Sequence, residues 1–249
     1  MSGHSKWVNI RVKKGKMDSQ RGKAFTKLAK EVIAAARAGG GDPDNNLRLR
    51  NAIAKAKESS MPADNIKRSI LRGTGEIDGI QYEEITYEGY GPAGVAVMVQ
   101  CMTDNRNRTA PEVRSVFRAH GGNLGETGCV SYMFDHRGVI SVGKDVTDED
   151  TLMMAALEAG AEDVKSEDEE IFEVFTAPAD VYVIKEALEK AGITTQEADV
   201  RMVPQNTVAV TGKDAQVVMK LLDAFEELED VQNVYSNEDI SEEELASMA

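Results

Sequence analysis

The chain has 249 residues, 41% of them hydrophobic, and a formal net charge of -14, which fits one large or two to three small globular domains and excludes disorder throughout. No apolar run approaches the roughly 20 residues that span a bilayer, and the basic N-terminus is not followed by the apolar core of a signal peptide, so a cytoplasmic protein with no membrane partner is expected. The two cysteines, Cys101 and Cys129, sit in apolar strand-like surroundings and offer neither a disulfide framework nor metal-ligand spacing; inert thiols, no metal and no cofactor are expected.

Residues 1 to 17 carry Lys6, Arg11, Lys13, Lys14 and Lys16 around one aromatic, Trp7, with no helical or strand period, and are read as a flexible basic arm. From Asp18 onward Phe25, Leu28, Ala29, Val32, Ile33 and Ala36 recur at helical spacing, which predicts a helix to about Ala38 that stops at Gly39-Gly40-Gly41. Asp42-Pro43-Asp44 is expected to open a second helix with Leu49, Ile53 and Ala56 inward. Pro62 suits the first turn of a third, with Ile66 and Ile70 inward and Gly73-Thr74-Gly75 ending it. These three helices predict an all-α domain over residues 1–77 that includes the arm.

The period then switches to strands. Glu84 to Tyr90, Val95 to Met102 and Val130 to Phe134 read as extended, with a helix from Thr109 to His120. Strand, helix, strand follow at Val139–Val142, Asp148–Ala159 and Glu162–Lys165, and again at Ile171–Thr176, Ala179–Ala191 and Thr195–Met202. That is a complete βαββαβ unit of ferredoxin-like type. A last strand, helix and strand at Thr207–Val210, Asp214–Leu228 and Val231–Tyr235 form half of another such unit. The expected fold is therefore α+β: a three-helix domain and a discontinuous ferredoxin-like domain (80–135 and 204–240) with an acidic ferredoxin-like domain (136–203) inserted into it.

No chemistry-bearing motif emerges. Gly89 to Gly94 satisfies G-x-G-x-x-G, but a strand follows where a dinucleotide site needs a helix N-terminus, so a turn between antiparallel strands is expected. His4, His120 and His136 are scattered, and the acidic runs at Asp148–Asp150, Glu167–Glu170 and Glu226–Glu227 read as solvated faces. An enzyme is not expected.

Charge placement is more informative than its total. Residues 1–75 hold 17 Lys+Arg against 6 Asp+Glu, hence +11, and the remainder holds 12 (29 minus 17) against 37 (43 minus 6), hence -25. Ordinary solvated helix faces would intersperse comparable numbers of acids; here few are present, which points to a phosphate-binding segment on an acidic body. Candidate nucleic-acid contacts are the arm residues, Arg21, a stripe of Lys23, Lys27, Lys30 and Arg37 on the first helix, Arg48, Arg50, Lys55 and Lys57 on the second, and Asn65, Lys67, Arg68 and Arg72 on the third. The loop from Thr103 to Thr109 reads as a capping box on Thr109 and Glu112 with Pro111 in the first turn. Its Arg106 and Arg108 suit either a structural turn or a second nucleic-acid contact, and the acidic domains leave room for a protein partner.

At these residues the chain resembles the YebC/PmpR family, which includes the mitochondrial translational activator of cytochrome oxidase subunit one. The matching segments are GHSKW (Gly3–Trp7), RGKAFTKL (Arg21–Leu28), GGGDPDNN (Gly39–Asn46), MPADNIKR (Met61–Arg68), YEGYGPAGVA (Tyr87–Ala96), TDNRNRT (Thr103–Thr109) and GGNLGETGCVSYMF (Gly121–Phe134). Val12, where the pattern has a basic residue or His, and Ser60, where it has Asn, depart from it. The resemblance implies one all-α and two α/β domains in a bacterial cytoplasmic protein described as a probable DNA-binding transcriptional regulator. It equally implies a link to translation, with ribosomal RNA as the alternative partner.

Overall fold

The computed structural model describes residues 17–248, the side chains of 17–21 and 242 lying outside the description. It forms two compact units, one over Tyr132–Thr207 and the other joining the residues on either side of it. In the larger unit helix α1 (Met17–Gly39) packs Val32, Ala35 and Ala36 against Leu49 and Ala52 of α2 (Leu47–Glu58). Helix α3 (Ala63–Thr74) crosses α1 at Gly73, where an added Cβ would stand 2.5 Å from the Ile33 carbonyl and 2.6 Å from the Ala36 Cβ. The second helix starts later than expected. Asp42 caps a turn by accepting from Asp44 N and Asn45 Nδ2, and the helix cap is Asn46, which accepts from Leu49 N at 3.1 Å and donates to the Ala35 and Gly40 carbonyls at 2.8 Å. One buried amide thus closes the α1–α2 turn and starts α2.

Strands β1 (Glu83–Tyr90) and β2 (Ala96–Thr103) are an antiparallel pair joined by a tight turn at Pro92–Gly94, as the failed dinucleotide fingerprint implies. Helix α4 (Arg106–Ala119) follows, then β3 (Asn123–Leu124) beside β1. The expected strand at Val130–Phe134 is absent. Glu88, buried on β1, accepts from the N–H groups of Gly128, Val130 and Ser131 at 2.8 Å each, so these donors fold the loop onto β1 instead of pairing with a neighbouring strand.

The smaller unit begins with β4 (Phe134–Gly143), one long strand running through the interval expected to be a loop. It continues through α5 (Glu149–Glu158), β5 (Asp163–Lys165), β6 (Ile171–Thr176), α6 (Val181–Lys190) and β7 (Glu197–Pro204). The sheet order is β5-β6-β4-β7, all antiparallel, with Ile140, Val142, Phe172 and Val174 buried beneath Leu152, Ile184 and Leu188 of the helices.

The chain then returns to the first sheet through β8 (Val208–Ala209), α7 (Gly212–Glu227) and β9 (Val231–Ser236), which pairs with β2 to complete the order β3-β1-β2-β9. Helices α4 and α7 cover one face, with Phe117 and Phe225 edge to face at 4.8 Å over Val97, Val99 and Cys101. Burial pushes the Cys101 thiol up to about 12, consistent with an inert residue. β10 (Glu238–Asp239) pairs with β8, and α8 (Glu242–Met248), unforeseen in the sequence, seals this core with Leu245. The α+β class, three helices followed by two sheets, is as expected, but β8 pairs with β10 in a two-stranded sheet of its own instead of joining β2 as the second half of a split ferredoxin-like sheet, a place that β1 takes. No helix among the described residues is long and apolar enough to cross a membrane.

Candidate nucleic-acid interface

The basic stripe on α1 does not form an open face. Lys23 pairs with Glu227, and Lys27, half-buried, approaches the Glu226 carbonyl at 3.5 Å. Burial lowers the Lys27 pKa, with Glu226 opposing the shift. Lys30 is only 4% exposed. Its ammonium donates to the carbonyls of Met102 (3.2 Å) and Glu229 (3.1 Å) and to Asp230 Oδ1 (3.3 Å), with the Tyr82 ring 5.3 Å away. Lys30, expected to meet phosphate, is instead closed off from solvent. The turn between α7 and β9 presents a carbonyl and a carboxylate to α1 and β2 presents a second carbonyl, and all three ammonium protons are taken up there.

The other oxygen of Asp230 accepts from Thr103 (3.0 Å), Thr109 (2.8 Å) and Arg108 (2.7 Å). Burial by itself raises the Asp230 pKa, but hydrogen bonds from Arg108, Thr109 and Thr103, together with the Lys30 charge, more than offset this and hold it below the ordinary carboxylate value. The capping box expected at Thr109 is corrected here: the cap is Asn105, accepting from Arg108 N at 3.2 Å, and Thr109 lies fully buried inside α4. Thr109 has no need to cap, because its hydroxyl is held by Asp230, Thr103 and the Asn105 carbonyl. Arg108 also pairs with Asp104 at 3.0 Å. It is spent within the loop, which is the structural-turn alternative for that residue.

On α2, Arg48 bridges Glu31 (2.9 Å) and Glu84 (2.5 Å), and Arg50 donates to the Pro43 and Asp44 carbonyls. Lys55 is half-buried and engaged, and Arg37 reaches the Tyr82 carbonyl at 3.5 Å. Lys57, Lys67, Arg68, Arg72 and Arg106 are exposed and make no ion pair with the described residues, and Asn65 is exposed in the first turn of α3. Lys6, Arg11, Lys13, Lys14, Lys16 and His4 lie outside the described residues, as does the Arg21 side chain. Two residues that the sequence reading passed over, Arg114 and Arg118, are exposed one turn apart on α4; their i, i+4 spacing on a predicted helix was the available signal. Among the described residues no group of three or more His, Cys, Asp or Glu could hold a metal.

Comparison with known proteins places this geometry. The chain is 57% identical, over the whole of both chains, to a "Probable transcriptional regulatory protein" of Geobacter sulfurreducens, and 56% identical to one of Persephonella marina over 98% of each. A crystal structure of a conserved hypothetical protein from Aquifex aeolicus superposes with a TM-score of 0.81 at 51% identity, covering 91% of this chain and 93% of that one. The TACO1/YebC protein N-terminal domain matches residues 5–76 and the TACO1/YebC second and third domain matches residues 82–238. With its three-helix segment and both four-stranded sheets falling inside those matches, the chain belongs to the TACO1/YebC family, of which the Geobacter and Persephonella relatives are named probable transcriptional regulatory proteins.

Proposed function

We propose that the chain is a cytoplasmic, non-catalytic DNA-binding regulator of transcription that grips the phosphate backbone. The grip comes from Lys57, Lys67 and Arg68 of the α2–α3 face with Arg106, aided by Lys6, Arg11, Lys13, Lys14, Lys16 and Arg21. The observation that carries the proposal is the +11 balance of residues 1–75 on a body of -25, of which Lys57, Lys67, Arg68 and Arg72 remain exposed and without ion pairs among the described residues. Each phosphate neutralised releases a condensed counterion, so with roughly five contacts log K on duplex DNA falls against log salt with a slope of about -4.5. A slope near zero overturns the electrostatic basis, and Lys57→Ala with Lys67→Ala and Arg68→Ala is expected to flatten it without lowering the melting temperature.

One observation favours ribosomal RNA as the second reading. The exposed first turn of α3 offers Ala63, Asp64 and Asn65, a poor set for reading base edges and one that carries an acid, whereas folded RNA is recognised by shape and backbone. Sucrose-gradient sedimentation with and without ribonuclease separates the two. Nuclease-sensitive migration with ribosomes supports translation, and recovery of discrete promoter fragments by crosslinking supports transcription.

A further inference from the structure

Helix α4 carries a second set of cations that the folded body leaves unneutralised. Arg106, Arg114 and Arg118 are exposed and make no ion pair with the described residues, and Glu112 is the sole acid between Arg106 and Ala119. Pro111, Arg114, Ser115, Arg118 and Ala119 line a shallow surface cleft. Arg114 and Arg118 stand one turn apart, at i and i+4 on α4. Lys67, Arg68 and Arg72 on α3 and Arg106, Arg114 and Arg118 on α4 belong to the same compact unit.

On a body of net charge -25, these three guanidiniums are a local patch of the opposite sign. Arginine forks match phosphate oxygens two at a time. We infer that Arg106, Arg114 and Arg118 form a second phosphodiester-binding site on α4. The site rests on the nucleic-acid reading above and extends it. The chain then holds its polymer at two places, and the salt dependence of binding counts both.

The test is filter binding or fluorescence anisotropy of the full chain with a 30-base-pair duplex and with a ribosomal RNA fragment, across a salt series, for the wild type, Arg114→Ala/Arg118→Ala and Arg114→Lys/Arg118→Lys. Loss of two contacts lowers the magnitude of the log–log slope by about 1.8 on duplex DNA, with weaker binding at low salt. The lysine variant, which keeps both charges, restores the slope; thermal unfolding of both variants stays with the wild type. An unchanged slope for the alanine variant, with the wild type still binding, overturns this site and leaves the α2–α3 interface standing. A wild type that binds neither polymer at low salt overturns both. Competition by a poly-glutamate peptide that requires Arg114 and Arg118, without any change in the nucleic-acid slope, assigns the patch to a protein partner and overturns the inference.

Discussion

The carboxylate of Asp230 is the point at which α1, β2, α4 and the α7–β9 turn meet, so removing it has a calculable cost. Lys30 and Asp230 are 4% and 3% exposed, and taking away one partner of a buried ion pair typically costs about 3–5 kcal/mol because the other charge stays buried and uncompensated. Asp230→Ala also strands the hydroxyls of Thr103 and Thr109, which its Oδ2 accepts from, so the upper end of that range applies. For a unit of this size the loss lowers the melting temperature by roughly 10–20 °C. Lys30→Met is milder, about 3 kcal/mol at most, since Asp230 keeps Arg108, Thr103 and Thr109 as donors. Combining Lys30→Met with Asp230→Asn removes both charges and recovers part of the loss; the difference from additivity measures the coupling. The assay is urea unfolding read by hydrogen exchange at the α1 and β2 amides, which reports the larger unit separately from 132–207. The pH sign is fixed by the depressed folded pKa of Asp230: its contribution is fully present above the unfolded carboxylate value of about 3.9 and is lost as pH falls through the lower folded value. Asp230→Asn abolishes that acid-side dependence. A loss below about 1 kcal/mol for Asp230→Ala, the range of an exposed pair, refutes the argument that this cluster seats α1.

Two further perturbations test other parts of the fold. Burial raises the Glu88 pKa, but backbone hydrogen bonds from Val130, Gly128 and Ser131 outweigh it and set the carboxyl below its ordinary value; Glu88→Gln is therefore expected to release the 125–131 loop, with protease nicking there as the readout, and to remove a stability component that the wild type loses as pH falls below about 4.3. Gly73→Ala gains about 1 kcal/mol from helix propensity on an open helix, but here the new methyl meets the Ile33 carbonyl at 2.5 Å, so a net destabilisation of about 1–3 kcal/mol from overpacking is expected in thermal unfolding.

Much of the fold was legible because it rests on local periodicity. The apolar spacing of α1 survives as the buried set Val32, Ile33, Ala35 and Ala36, and β6 spans Ile171–Thr176 as expected. What escaped the sequence depends on partners far along the chain. The loop at 125–131 imitates a strand, because Val130 is apolar, until Glu88, some 40 residues earlier, takes its N–H groups. Thr109 imitates a cap because its true acceptor, Asp230, lies 121 residues away. The same limit governs the candidate site. Lys23, Lys27 and Lys30 look no different in sequence from Lys57 or Lys67, and only the folded chain brings Glu227, Glu226 and Asp230 to them from 199 to 204 residues further on.

That reassignment changes what the charge asymmetry means. Of the 17 basic residues counted in 1–75, Lys23, Lys27 and Lys30 face acids or carbonyls of the α7–β9 end, and Arg48 is bridged by Glu31 and Glu84. These cations anchor the helical segment to an acidic body instead of waiting for a ligand. The anchoring is directional. Glu226, Glu227 and Glu229 lie at the same end of α7 as the buried Asp230, and the field of such carboxylates falls off over a Debye length of roughly 8 Å at physiological salt. Lys57, Lys67, Arg68, Arg72, Arg106, Arg114 and Arg118 are exposed and make no ion pair with the described residues. On the function proposed above, a polyanion is repelled from the seam that holds the segment in place and meets cations on the surfaces that the seam leaves uncompensated. In that proposal the acidic body narrows the interface, because it consumes cations that a charge count alone assigns to it.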